Sequence, residues 1–145
     1  MISTKGRYAL RVMIDIGARE NGGYIPLKDV SERLGISMKY LEQIVSGLYK
    51  AGLLVSLRGS TGGYRLAKKP EEISSGDILR AAEGTLAPIA CISSGDVSCD
   101  RQNSCVTLPF WQGMNDVVNE YVNRISLRDL LNQAMEMAGE QVAKE

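Results

Sequence analysis

The order of two short amphipathic segments and a glycine-rich hairpin constrains the fold of this chain more than any other feature. In residues 27–34, apolar side chains recur at i, i+3 and i+7, which predicts a short helix. Gly35-Ile36-Ser37 then predicts a tight turn, with Ser37 as the N-cap of a second helix. That second helix ends at Gly52, and its apolar face consists of Leu41, Ile44, Val45 and Leu48. Two short helices joined in this way are typical of a helix-turn-helix.

A β-hairpin is predicted directly after the second helix. Leu53, Val55 and Leu57 alternate with other residues as in a half-buried strand, and Tyr64–Leu66 form the second strand. The loop between them, Arg58–Gly63, contains three glycines, which permit positive φ angles. This loop lacks the spacing of a nucleotide-binding motif and precedes a strand, so a nucleotide phosphate loop is excluded. The hairpin is therefore interpreted as the wing of a winged helix-turn-helix domain.

Polar positions near the start of the second helix are chemically suited to read base edges. In the major groove, glutamine can pair with adenine, and glutamate can accept a hydrogen bond from cytosine. An arginine at the tip of a wing can enter a narrow minor groove. The predicted DNA contacts are Ser37, Met38, Lys39, Tyr40, Glu42, Gln43, Arg58, Gly59, Thr61, Gly62 and Arg65, with Lys68 and Lys69 as phosphate anchors. The alternative is a scaffold helical hairpin with a solvated basic wing.

Charge is divided unevenly along the chain, although the net charge of the whole is zero. Residues 1–70 hold twelve lysines and arginines against five acidic residues, and residues 71–145 hold five against twelve. Such asymmetry is expected when the first half meets a polyanion. A chain without histidine has no Ser-His or Cys-His arrangement, and it shows no recognisable pair of catalytic carboxylates, so we predict that the protein is not an enzyme.

Three cysteines, Cys91, Cys99 and Cys105, lie within fifteen residues of a loop-like stretch, residues 85–107. An odd number of clustered cysteines is poor material for a disulfide framework, whereas thiolates on one flexible segment suit a soft metal. A long irregular loop in a compact domain is commonly functional, and a bound metal centre would order it. We therefore predict that the three cysteines are metal ligands, with a zinc site or direct thiol oxidation as the alternatives.

A long helix is predicted from Pro109, and a last helix from Ser126, where Asp129 completes a capping box. Apolar side chains recur along the long helix at spacings of three and four, the heptad pattern of a helix that packs along a partner. The predicted contacts of a homodimer are Trp111, Met114, Val118, Tyr121 and Ile125. The alternative is that this face belongs to the core of its own domain.

The sequence thus predicts a mainly α-helical protein with a small β-wing. We expect a winged helix-turn-helix domain over residues 1–70, a linker helix with the cysteine loop over 71–107, and a dimerisation helix with a C-terminal helix over 108–145. There is no basic-plus-apolar leader and no run of about 18 apolar residues, so neither secretion nor membrane spanning is expected. A cytoplasmic location follows, in which clustered cysteines stay reduced.

Several short motifs occur in an order that resembles a known family. They are Met1–Leu10, Gly35–Ser37, Tyr40–Gln43, Arg58-Gly59 with Gly62–Tyr64, Ser75–Ile78 and Glu83-Gly84. Together they resemble the Rrf2 family of bacterial winged-helix regulators, which includes IscR, NsrR and CymR, and the likeness covers nearly the whole chain. The resemblance implies a homodimeric transcription factor, usually a repressor. The cysteines point to its cluster-binding branch, with a [2Fe–2S] rather than a [4Fe–4S] iron–sulfur cluster.

Two departures from the family concern the cluster ligands. The cysteines are spaced C-x7-C-x5-C, and the first gap is longer than in IscR and NsrR, although extra residues in a flexible loop add little closure cost. Leu108 stands where IscR has a histidine ligand, and Tyr8 stands near the place of an NsrR aspartate. The fourth ligand is therefore expected to be a carboxylate, a hydroxyl, a backbone group or an exogenous group. The candidate carboxylates are Asp96, Asp100, Glu83 and Asp15.

The predicted function is regulation of transcription at a duplex DNA operator, controlled by the cluster. Genes of iron–sulfur assembly or sulfur metabolism are the expected targets. The alternative in the same class is a CymR-like repressor that a protein co-regulator controls, with the cysteines incidental. An interaction module without DNA binding is a further alternative, and it would lack the steep salt dependence of a phosphate-contacting protein.

Overall fold

The computed structural model describes residues 1–93 and 99–144. Its helices are α1 (Thr4–Ala18), α2 (Leu27–Leu34), α3 (Met38–Lys50), α4 (Ser75–Glu83), α5 (Leu108–Arg124) and α6 (Leu127–Lys144), and its strands are β1 (Leu54–Leu57) and β2 (Gly63–Leu66). The strands pair antiparallel and follow α3 directly, as a wing does. The predicted fold class, mainly helical with a small β-wing, is therefore confirmed. Within the described ranges, no helix is long and apolar enough to span a membrane.

Local hydrogen bonds fix the turn between α2 and α3. Gly35 ends α2 in the left-handed conformation, with φ +65°, which favours glycine over residues with a side chain. The Ser31 hydroxyl donates to the Ile36 carbonyl at 2.6 Å, and Ser37 Oγ accepts a hydrogen bond from the Tyr40 amide at 3.2 Å. The predicted Ser37 cap is thus present, and it fixes the start of α3.

One apolar core joins the three N-terminal helices to the C-terminal part of the chain. The apolar face predicted for α3 is buried, and α1 contributes Val12, Met13 and Ile16. Ile78 of α4 and Leu127 of α6 belong to the same core. Because burial of each large apolar side chain stabilises the fold by about 1.5–3 kcal/mol, the buried apolar face of α3 fixes this helix to the core.

The wing differs from the predicted alternation of buried and exposed residues. Leu53 and Leu54 are both buried, whereas Leu57 is 46% exposed, so the interpretation of Leu53, Val55 and Leu57 as one buried face is wrong. The reason is that Leu53 still belongs to the turn that ends α3, where its amide donates to the Leu48 carbonyl at 3.0 Å. Beyond Val55 the strand leaves the core and projects into solvent.

Two capping boxes are formed, and one of them is the box predicted at Ser126. Ser74 Oγ accepts from the Asp77 amide at 2.9 Å, and the Asp77 carboxylate accepts from the Ser74 amide at 3.0 Å. Ser126 and Asp129 exchange the same pair of bonds, at 3.1 and 2.9 Å. These boxes satisfy amides that the first turn of a helix leaves without partners, and they fix where α4 and α6 begin.

Side-chain hydrogen bonds join α4, which precedes the cysteine stretch, to α5, which follows it. The Arg80 guanidinium of α4 donates to the side-chain oxygens of Asn119, at 2.9 Å, and Asn123, at 2.6 Å, in α5. Between the two helices, the chain contains short 3-10 turns at Ala90–Ile92 and Gln102–Ser104. The expectation of a stretch without regular structure is corrected to this extent, because turns of three residues leave no periodic pattern in a sequence.

Candidate DNA interface and cysteine segment

The first turn of α3 presents most of the predicted base-reading side chains to solvent. The exposed ones are Ser37, Met38, Lys39, Glu42 and Gln43. Tyr40 differs, because its ring is half-buried and packs edge-on against Tyr8 of α1, with 6.0 Å between the ring centroids. The Tyr40 ring therefore anchors α3 to α1.

Apart from Gly62, which is half-buried, the predicted DNA contacts of the wing fall into two groups. Those at the exposed tip are Arg58, Gly59 and Thr61. Arg65 lies at the base instead, where its guanidinium carbon is 4.9 Å from the centre of the Tyr24 ring and one nitrogen donates to the Gly22 carbonyl at 3.4 Å. Arg65 therefore ties the wing to the connection between α1 and α2, partly through a cation–π contact.

Two wing glycines are required by close backbone packing. A Cβ on Gly62 would collide with the Leu57 carbonyl oxygen, and a Cβ on Gly63 would collide with the Ile25 carbonyl oxygen. Ile25 and Tyr64 exchange backbone hydrogen bonds of 2.7 and 2.9 Å at this point. Gly63 thus lets the wing pair with Ile25, which leads into α2, and Gly62 lets the hairpin itself close.

α4 contacts both α3 and α1 at close range. A Cβ on Gly47 of α3 would lie 2.8 Å from the Ala81 carbonyl oxygen, so the two helices meet at backbone distance. At the end of α4, Glu83 Oε1 accepts hydrogen bonds from the Ser3 amide at 2.7 Å, the Ser3 hydroxyl at 2.8 Å and the Gly6 amide at 2.9 Å. Burial disfavours the charged carboxylate, but these hydrogen bonds outweigh burial and lower the pKa of Glu83.

The three cysteines are free, half-buried thiols on the segment between α4 and α5. Cys105 Sγ lies 3.5 Å from the Thr107 hydroxyl, and the hydrogen bond between them lowers the pKa of the Cys105 thiol. Partly accessible thiolates are suitable ligands for iron, so the donor chemistry fits an iron–sulfur cluster. Within residues 1–93 and 99–144, however, no three cysteine or carboxylate side chains lie close enough together to hold a metal ion.

Two of the four candidate carboxylates have other partners. Asp15 is buried and forms ion pairs of 2.9 and 2.8 Å with two arginines. Glu83 caps the start of α1, as described above. Asp100 is exposed and follows Cys99 directly, and Asp96 lies outside the described residues. The contacts therefore argue against Asp15 and Glu83 as ligands, whereas none of the contacts among the described residues involves the Asp100 side chain.

α5 presents a continuous apolar stripe to solvent. Its members are spaced four, three and four residues apart, and each is 45–67% exposed: Phe110, Met114, Val117 and Tyr121. Beside the stripe runs a groove of about 520 Å³, lined by side chains of α1, α4, α5 and α6 such as Leu10, Leu79 and Leu130. An exposed apolar stripe of this length is suited to a partner surface.

The predicted dimer contacts divide between this stripe and other parts of α5. Met114 and Tyr121 belong to the stripe, and Trp111 is half-buried with its ring edge-on to that of Phe110. Val118 packs inside the chain on the small cluster of Leu79, Leu86 and Val122, and Ile125 lies one residue beyond the end of α5. The five predicted residues therefore lie on more than one face of α5, and the exposed stripe also contains Phe110 and Val117.

Comparison with known proteins gives consistent matches over at least 90% of the chain. A family model, Rrf2, described as an iron-dependent transcriptional regulator, matches residues 2–133. The HTH-type transcriptional regulator IscR of Pectobacterium atrosepticum is 39% identical over 131 residues, which cover 90% of this chain and 79% of that protein. Among solved structures, T. potens IscR has a TM-score of 0.75 at 37% identity, and the match covers 94% of this chain and 90% of the other. CymR, the global cysteine regulator of B. subtilis, has a TM-score of 0.73 at 36% identity over 92% and 97%. All of these are regulators, in agreement with the prediction that the chain is not an enzyme.

Proposed function

The chain belongs to the Rrf2 family of transcriptional regulators, and on that premise we propose that it is a homodimeric repressor controlled by an iron–sulfur cluster. Cys91, Cys99 and Cys105 would hold the cluster, of the [2Fe–2S] type. The observation that carries the proposal is three half-buried thiols on one segment directly after α4, in a chain without histidine. The iron-dependent description of the family model and the name IscR of its relatives support it. Genes of iron–sulfur assembly or sulfur metabolism are the proposed targets, in line with the description of CymR as a cysteine regulator.

A bound cluster would supply a group that is gained when iron and sulfide are available and lost to oxidants. The three thiolates would bind the iron, and Asp100 is the described carboxylate that we propose as the fourth ligand, because Asp15 and Glu83 have other partners. Among the described residues, the three thiols do not form one group that could hold a metal ion. Ligation would therefore require the segment between α4 and α5 to reorganise, so that binding is coupled to local folding.

α4 connects this segment to α3, the helix proposed to read the operator. The segment begins immediately after Glu83, which holds the start of α1. The Gly47–Ala81 contact joins the same helix to α3. Close-packed helix contacts transmit small displacements, because packed interfaces shift between discrete arrangements. A change in the cysteine segment that moves α4 would thus change the population of DNA-competent protein.

The operator interface in this proposal consists of the exposed start of α3 and the tip of the wing. Glu42 and Gln43 would read base edges in the major groove, and Arg58 would enter the minor groove. Tyr40 and Arg65 have partners within the chain, so we assign them mainly to the support of α3 and of the wing.

A second copy of the chain is the proposed occupant of the exposed stripe on α5. A regulator with one helix-turn-helix commonly grips two half-sites about one helical turn apart, which requires two copies. The stripe of Phe110, Met114, Val117 and Tyr121 supplies the apolar contact that a pair of helices needs.

The first test of the cluster is the content of iron and acid-labile sulfide per protomer, with a visible spectrum, in protein purified without oxygen. The variant with alanine at Cys91, Cys99 and Cys105 is compared with Ser104→Ala, a matched control in the same segment. We expect iron and sulfide in the wild type and in Ser104→Ala, and neither in the triple variant. A wild type that stays colourless after reconstitution would refute the cluster.

Binding to duplex DNA is measured on the same preparations. We expect the affinity of the wild type to differ between the loaded and unloaded states, and the triple variant to behave like the unloaded state. If the wild type holds no cluster but binds DNA, the similarity to CymR favours control by a protein co-regulator. In that case the triple variant would be regulated as the wild type is. Zinc in the purified protein, or loss of DNA binding on thiol oxidation, would instead indicate a zinc or thiol sensor.

A further inference from the structure

A cleft between α2, α3 and the wing has the properties of an anion-binding site. Its volume is about 490 Å³, within the range of small-ligand sites. Lys28 lines it from α2, Tyr49 from α3 and Arg58 from the wing. Its described lining residues include no aspartate or glutamate. Both charged side chains on its walls are therefore positive, and the hydroxyls of Ser56 and Ser60 add hydrogen-bonding groups.

The walls of the cleft are held in place by contacts within the chain. The backbone hydrogen bonds between Ile25 and Tyr64 attach the wing three residues before Lys28. The rings of Tyr49 and Tyr64 pack edge-on, with 6.5 Å between centroids and 82° between planes, and this pair attaches α3 to the wing. The three elements that surround the cleft are thus joined to one another, so a ligand need not order them.

The position of the cleft identifies the anion. One edge belongs to α3, with Met38 at its exposed start, and another belongs to the wing, with Arg58 near the tip. In the proposed DNA complex, these two edges contact neighbouring grooves. A DNA strand that separates the two grooves must pass between the edges, and its phosphates face the protein there.

We propose that this cleft binds one phosphodiester group of the operator backbone, with Lys28 as the cation and the Tyr49 hydroxyl as a hydrogen-bond donor. The inference rests on the proposed DNA binding and adds two residues to it. A lysine that contacts a phosphate gives affinity and register without sequence preference, whereas residues on α3 give the preference. Lys28 and Tyr49 should therefore contribute equally to all duplexes.

The test uses the full-length protein and two labelled duplexes, one selected by the protein from a random library and one of unrelated sequence. Fluorescence anisotropy is measured over a series of salt concentrations. Lys28→Gln should weaken binding several-fold on both duplexes by the same factor, and it should reduce the slope of log affinity against log salt by about 0.9. Lys28→Arg should restore binding. Lys144→Gln removes the same charge from the exposed end of α6, and it should bind as the wild type does.

Tyr49→Phe keeps the ring that packs on Tyr64 and removes only the hydroxyl, so it should weaken binding to both duplexes by a smaller factor. Wild-type affinity and slope in Lys28→Gln would overturn the inference, as would a loss confined to the selected duplex. Binding of inorganic phosphate by the wild type without DNA, lost in Lys28→Gln, would assign the cleft to a free anion and also overturn it. If the wild type itself binds neither duplex, the proposed function fails, which is a different result from a normal wild type with an inert Lys28.

Discussion

Gly47→Ala should destabilise the protein, although alanine is the better helix former. The added Cβ would lie 2.8 Å from the Ala81 carbonyl oxygen, closer than such atoms pack in proteins. In an unobstructed helix, alanine in place of glycine stabilises by about 1 kcal/mol. Overpacking against a backbone carbonyl, which cannot rotate away, costs about 2–3 kcal/mol. We therefore expect a net loss of about 1–2 kcal/mol in the free energy of unfolding.

Gly139→Ala in α6 is the matched control, because no described atom lies within 4 Å of the Cβ that it adds. It should raise the free energy of unfolding by up to about 1 kcal/mol. Urea unfolding, followed by circular dichroism at one protein concentration, gives the midpoint and the slope for each variant. The two substitutions should thus have opposite signs. A Gly47→Ala protein that is as stable as Gly139→Ala would show that α3 and α4 do not meet at backbone distance, and it would refute the reasoning.

Three further predictions follow from single contacts. Glu83→Gln should lower the free energy of unfolding by about 1–2 kcal/mol at neutral pH. Because folding lowers the pKa of Glu83, the stability that its carboxylate contributes is complete above the unfolded pKa of about 4.3 and is lost as the pH falls through the folded pKa. The difference in stability between the wild type and Glu83→Gln should therefore shrink in acid, and a constant difference would contradict this account. Asp15→Asn should lower the free energy of unfolding in urea by about 2 kcal/mol, since it leaves Arg19 and Arg33 without their buried partner. Glu71→Gln breaks the exposed Glu71–Arg128 pair and should change the free energy of unfolding little. Equal losses in the two variants would argue against the difference in burial. Val117→Glu places a carboxylate in the apolar stripe of α5 and should convert dimers to monomers, as measured by light scattering. Gln112→Glu, exposed on the same helix, should leave the mass unchanged. An unchanged mass for Val117→Glu would exclude this stripe from the dimer contact.

The elements of the winged helix-turn-helix could be predicted from the sequence because their boundaries depend on local preferences. Gly35 adopts a left-handed conformation that favours glycine, and Ser37 accepts a hydrogen bond from an amide three residues away. Neither requires a distant part of the chain. Leu53 shows the limit of this reasoning, because the end of α3 decides its burial and a two-residue alternation cannot reveal where a helix turn stops.

The surroundings of the candidate site could not be predicted, because they depend on residues that are far apart in sequence. Glu83 caps a helix that begins eighty residues earlier, and Tyr40 is half-buried because it meets Tyr8. On α5, spacings of three and four fit either face of the helix. Packing of Val118 against Leu79 of α4 decides which face is turned inward, and the amino-acid pattern of α5 alone does not contain that information.

The tie between α4 and α5 bears on how the cysteine segment can vary among relatives. The hydrogen bonds from Arg80 to Asn119 and Asn123 join α4 to α5, so the two helices that flank the segment pack on each other independently of its length. The entropy of closing a loop grows slowly with its length, by about 0.6 kcal/mol for each doubling. Insertions between the cysteines therefore change the free energy of unfolding very little. The spacing of the cysteines can therefore change while α4 and α5 keep their positions.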